Sequence, residues 1–203
     1  MRYTPATIAS RTRSVAHLLL REDRAAQLVE FAVSLPLLVV FVVGIFDFSG
    51  AFTIKLKLTN AARDAARAAA ADPATDLGNT TGTPASVVDA FQVADNYLTT
   101  NNLNDCGINA ASLTAGGGTS ALTWSATAAA CPPTPGMASF AVNRGFVSSQ
   151  TVGGVSTRIV QTQVTIQYSY AWHFNRVIGI LVNGATYAGL TTLSATATAM
   201  NEN

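Results

Sequence analysis

Arg24-Ala25-Ala26-Gln27-Leu28-Val29-Glu30-Phe31 sets one carboxylate at the head of an apolar run that continues to Phe46 with no further charged residue. The sixteen residues from Phe31 to Phe46 cover about 24 Å as a helix at roughly 1.5 Å each, slightly short of a hydrocarbon core of about 30 Å. Adding Gln27 to Val29 and Asp47 to Phe52 completes a membrane span. Glu30 then lies at the membrane's edge or just inside it. An ionised carboxylate costs less there than at the midplane but still favours a partner. A cation brought by another subunit would serve.

Outward from this run the helical signal persists. Phe41, Ile45, Phe48, Phe52 and Leu56 recur at spacings of three or four, which predicts one apolar face. Beyond Leu56 the stripe turns into alanine, with Ala62, Ala66 and Ala69 on one side and Arg63, Asp64 and Arg67 on others. Small side chains let a partner backbone approach closely, and alanine is also the best helix former. Asp72-Pro73 should stop the helix, because proline disfavours helical geometry in the residue before it and cannot continue the ladder. The expected rod, from near Ala26 to Asp72, is about 67 Å long at the usual rise per residue. Pro36 lies in its apolar half and is expected to bend it, or to be tolerated as membrane prolines are. Asp47 reads as an interfacial carboxylate reaching water at the outer surface, with an ion pair to another subunit as the other reading.

Residues 1–25 form a basic leader, with Arg2, Arg11, Arg13, Arg21 and Arg24 against Glu22 and Asp23. By the positive-inside bias the leader stays cytoplasmic and the rest of the chain faces outward. Lys55, Lys57, Arg63 and Arg67, shortly beyond the span, weaken that bias. Without the leader, seven Lys and Arg stand against nine Asp and Glu, and nothing suggests a nucleic-acid partner. The whole chain, 203 residues with 49% hydrophobic and 11% charged, suits a low-charge exported protein with one small domain beyond the helix. Cys106 and Cys131 are its two cysteines, set in loop-like polar sequence, and are expected to form a disulfide in an oxidising compartment. As a metal site they would muster only three ligands even with His173.

Residues 73–203 read as an extracytoplasmic α+β domain. A polar loop from Ala74 to Pro84 leads into a short amphipathic helix over Ser86 to Thr99. Asn101 to Gly136 reads as largely irregular, apart from a strand near Ala121 to Ala126. Strands follow at Met137 to Val147, Arg158 to Tyr170 and Leu190 to Met200, and Gly153-Gly154 marks a hairpin turn between the first two. The fold class is therefore α+β: a long N-terminal membrane-spanning helix, then a small antiparallel-sheet domain with a short helix. Val177 to Val182 is too short to span a bilayer, and reads as a cap on the sheet or a buried joint against another subunit.

Chemistry-bearing constellations are missing from the sequence. Gly116-Gly117-Gly118 has no Lys-Ser/Thr pair of a phosphate loop, and His173 between Trp172 and Phe174 reads as aromatic packing or interface. His17 would leave with the leader, and no serine elbow, Cys-His pair or paired acids stand out. The expectation is a protein without catalysis, metal or other cofactor.

Arg24 to Leu38, Gly44-Ile45-Phe46-Asp47-Phe48 and Leu58-Thr59-Asn60-Ala61-Ala62-Arg63-Asp64-Ala65-Ala66-Arg67-Ala68 together resemble the TadE-like family of pseudopilins from bacterial tight-adherence (Flp-type) pilus systems. The resemblance covers roughly residues 21 to 71. It implies that a prepilin peptidase cuts between Ala25 and Ala26, making Glu30 the fifth mature residue and Phe31 the sixth. The family usually has glycine where this chain has Ala25. It further implies a minor pseudopilin or assembly protein of the bacterial inner membrane, single-pass, with its C-terminal domain in the periplasm or at the cell surface in the pilus. Glu30 and Phe31 would serve subunit assembly, with Glu30 neutralising the Ala26 amine of a neighbour. Its partners would be the peptidase, other pilins or pseudopilins, the inner-membrane assembly platform and membrane lipid. Two other readings stand beside it: a membrane-anchored binding module that keeps its leader, and a secreted protein cut after Ser49-Gly50-Ala51.

Overall fold

The structure, a computed structural model, describes residues 9–78, 82–116, 122–131, 136–172 and 190–202. Helix α1 spans Ala9–Ala71 and runs on through Pro36. The helix expected from near Ala26 thus begins at Ala9. Residues 9–25 contain no glycine or proline that would break it. Its other end is where Asp72-Pro73 places it.

The two halves of α1 have different surroundings. Toward the C-terminus, Leu58, Ala61, Ala62, Ala65, Ala66 and Ala69 are at most 1% exposed, a stripe recurring every three or four residues. That alanine stripe packs inside this chain, against α2 and the sheet. Helix α2 spans Ala85–Thr100 and buries Val87, Ala90, Phe91, Ala94 and Leu98. The Ser86 amide donates to Asp76 Oδ2 at 2.9 Å, so a side chain satisfies one of the orphan donors at its start.

Among the described residues, five strands form one antiparallel sheet in chain order: β1 Thr114–Ala115, β2 Thr123–Cys131, β3 Gly136–Val152, β4 Val155–Ala171 and β5 Leu190–Met200. The region expected to be mostly irregular therefore supplies the edge strand β1 and its neighbour β2, and β2 runs five residues past the expected Ala126 to reach Cys131. The β3–β4 hairpin closes with Val152 opposite Val155, through Gly153 and Gly154 at φ 60° and 84°. Two successive positive φ values make the two-residue turn that follows the twist of the strands, and glycine adopts them without steric cost. From Gln163 onward β4 alternates, with Val164, Ile166, Tyr168 and Tyr170 buried and Gln163, Thr165 and Gln167 turned outward and half-exposed, whereas Val160 is exposed and Gln161 buried. The helices cover the apolar side, and Phe91 meets Phe140 edge-on at 5.3 Å.

Gly117-Gly118, Pro132-Pro133, His173 and the Val177–Val182 run lie outside the described residues.

Candidate functional site

Ala26 and Glu30 are both exposed on α1, four residues apart and therefore on one face. Phe31 beside them is 63% exposed. Large apolar side chains continue to stand out as far as Leu56, with Phe46 at 73% and Phe52 at 71%. A continuous apolar surface of this kind is a liability in water and matches hydrocarbon. Among the described residues α1 is the one helix long and apolar enough to cross a membrane, with none of its most apolar window buried. This gives the chain a single-pass membrane anchor.

Asp47 departs from its expected role. It is 4% exposed, and the Tyr170 hydroxyl lies 2.9 Å from its Oδ1 and 3.0 Å from its main-chain oxygen. The carboxylate is thus turned into the joint between α1 and β4 instead of reaching outward to water. Gly50 permits this approach, since a Cβ there would come within 2.9 Å of the Tyr170 hydroxyl. Trp172 packs edge-on against both Phe48 and Tyr170, with centroids at 5.2 and 5.1 Å, and its indole N–H donates to Thr191 Oγ1 at 2.7 Å. Burial first, then the hydrogen bond and charge of Asp47, pushes the Tyr170 phenol up to about 12. The folded domain is therefore fastened to the helix at the C-terminal end of the apolar run.

Residues 25–67 match the family model for TadE-like proteins. The match starts at Ala25, takes in Glu30, Phe31 and Asp47, and ends at Arg67 among the core alanines. The TadE-like segment is thus the membrane helix and its continuation into the domain, and the sheet lies outside it. No curated protein and no solved structure matches the chain.

Beyond the TadE-like segment, Arg144 ties the end of α1 to the sheet. It is 1% exposed and donates to the main-chain oxygens of Ala69 and, at 3.0 Å, Asp72, and to Thr162 Oγ1 at 3.1 Å. The Glu202 amide donates to the Ala70 oxygen at 2.9 Å. The last carbonyls of a helix have no intrahelical donors and carry its negative dipole end, so a guanidinium there satisfies both. A register shift between Asn143 and Phe146 places Arg144 at a β-bulge, a device that re-aims a side chain. Burial lowers the guanidinium's pKa, opposed by Asp76 and Asp72. The Asp72 carboxyl is pushed up by burial and by Asp89 and Asp76, partly offset by Arg144.

Neither Arg144 nor the Tyr170–Asp47 contact enters a reading of local patterns. The available signal was parity: Ala138, Phe140 and Val142 point inward, which puts the next even position, Arg144, on the core side.

Cys106 and Cys131 are joined, with Cα atoms 4.6 Å apart. The bond ties the turn after α2 to the end of β2. Among the described residues no group of His, Cys, Asp and Glu is arranged to hold a metal.

Proposed function

We propose that this chain is a minor pseudopilin or pilus-assembly protein of a tight-adherence pilus system, acting structurally in pilus biogenesis and surface adhesion, without catalysis. The observation that carries this reading is an exposed carboxylate, Glu30, at the head of a lipid-matching helix within the TadE-like match. In this reading a prepilin peptidase cuts between Ala25 and Ala26, with the leader on the cytoplasmic side and the sheet domain in the periplasm.

Cutting frees the Ala26 amine next to hydrocarbon. Glu30 and Phe31 then form the assembly surface: Glu30 pairs with that amine on a neighbouring subunit, and Phe31 packs on its helix. Leaving one partner of a desolvated ion pair alone costs on the order of 3–5 kcal/mol, so the pair fixes axial register between subunits. The assembly platform and other pilins are the partners this reading requires.

The test is pilus output from Glu30→Ala and Glu30→Gln strains, with membrane level of the protein measured alongside. Both variants should insert normally and lose most assembled fibre. Wild-type fibre yield from either contradicts the pairing. A purified membrane protein that still carries Arg24 would instead support a permanently anchored binding module.

A further inference from the structure

Two crevices meet at Trp172. The lower, about 570 Å³, runs along the outer half of the membrane helix and is lined by Phe41, Ile45, Phe48, Phe52 and Trp172, with Asp47 at its back. The upper, about 360 Å³, shares Phe48, Phe52 and Trp172 and adds Lys55, Thr192 and Ser194. One end is thus hydrocarbon in character and the other offers a cation beside the rim of β5. Lys57 nearby is committed to the Asn101 oxygen at 2.8 Å, whereas Lys55 lines the upper crevice.

The order of these chemistries matches depth in a bilayer. With Glu30 at one edge of the hydrocarbon, a core of about 30 Å ends near Gly50 at roughly 1.5 Å per residue. Phe41 to Phe52 then line the leaflet on the domain's side, and Lys55 reaches the level of lipid phosphates. We propose that this crevice holds one phospholipid of that leaflet, an acyl chain lying along Phe41, Ile45 and Phe48 and an anionic headgroup against Lys55. The Tyr170 hydroxyl at Asp47 Oδ1 turns that carboxylate toward the sheet, and the phosphate sits at the cationic end. Trp172, held by Thr191, separates tail from headgroup, the usual place for an indole at a membrane interface. This site rests on α1 crossing the bilayer and not on the pilus reading.

The chain has two tryptophans, and Trp124 is 5% exposed in the core, so Trp124→Phe leaves Trp172 as the sole emitter. The full-length variant is reconstituted in phosphatidylcholine vesicles containing a minor fraction of acyl-brominated phosphatidylglycerol or, separately, acyl-brominated phosphatidylcholine. Brominated phosphatidylglycerol should quench Trp172 at a saturating minor fraction and with about fivefold preference, the scale of one lysine at an anionic surface. Lys55→Gln should bring the two lipids together without abolishing quenching.

Equal quenching by both lipids in the Lys55 protein overturns the site while leaving the membrane placement intact. Absence of quenching even in fully brominated phosphatidylcholine overturns the placement itself. Quenching that disappears as protein-to-lipid ratio rises assigns the crevice to a second copy's helix and also overturns the proposal.

Discussion

Arg144 can sit in the core of a small domain because the main-chain oxygens of Ala69 and Asp72 at the end of α1, a threonine hydroxyl and nearby carboxylates receive it. Removing the side chain leaves those acceptors buried and the end of α1 uncapped. Arg144→Ala should lower the stability of the domain by about 3 kcal/mol, read from urea unfolding of the full chain in micelles, while Arg144→Lys recovers part of it. Asp72 beside it responds to pH in an unusual direction for an acid. Its folded pKa is raised, so its contribution is fully present below the ordinary aspartate range and is lost as pH rises through the raised value. Asp72→Asn should remove that loss and flatten the thermal stability profile between acid and neutral pH. At the other end of the sheet, Tyr170 stays protonated past the ordinary tyrosine range, up to about 12. Its contact with Asp47 is fully present below pH about 10, the ordinary phenol value, and fails as pH climbs toward the folded value. Phenolate absorbance should show a latest-titrating tyrosine that is lost in Tyr170→Phe, leaving Tyr168, itself raised by burial, with about 1 kcal/mol of stability lost.

Elements differ in how much of them was legible. The membrane helix was readable from near Ala26 to Asp72 because each of its signals is local: an uncharged run, alanines every three or four residues, and a stopping proline. The hairpin at Gly153-Gly154 and the alternation along β4 were local in the same sense. β1 and β2 were largely hidden, since small residues such as Ala126 to Ala130 carry little strand preference and become a strand by pairing with β3. The Tyr170–Asp47 joint links residues 123 apart and Arg144–Ala69 links residues 75 apart, so neither leaves a short-range trace. The expected outward-reaching Asp47 failed for this reason: its burial comes from a strand far along the chain. The Cys106–Cys131 bond, 25 residues apart in sequence, was expected from compartment logic. Replacing both cysteines by serine should cost about 3 kcal/mol, the chain-entropy scale for a loop of that size, measured by unfolding under non-reducing conditions.

As a whole, the molecule is a lipid-matching helix whose last turns form the floor of a folded domain. The exposed apolar half ends where Tyr170 and Trp172 meet Asp47 and Phe48, so domain and membrane face each other across a fixed joint. Such an architecture carries a domain at a set height above a bilayer and leaves Glu30 and Ala26 at the far end of the span. Everything proposed about assembly then turns on whether Ala26 becomes a free terminus despite Ala25 in place of the family's usual glycine. The decisive measurement is the N-terminal residue of the protein taken from native membranes and from sheared surface fibres, read by peptide mass spectrometry. A start at Ala26 is the predicted result; an intact leader through Arg24 in both fractions would contradict the account.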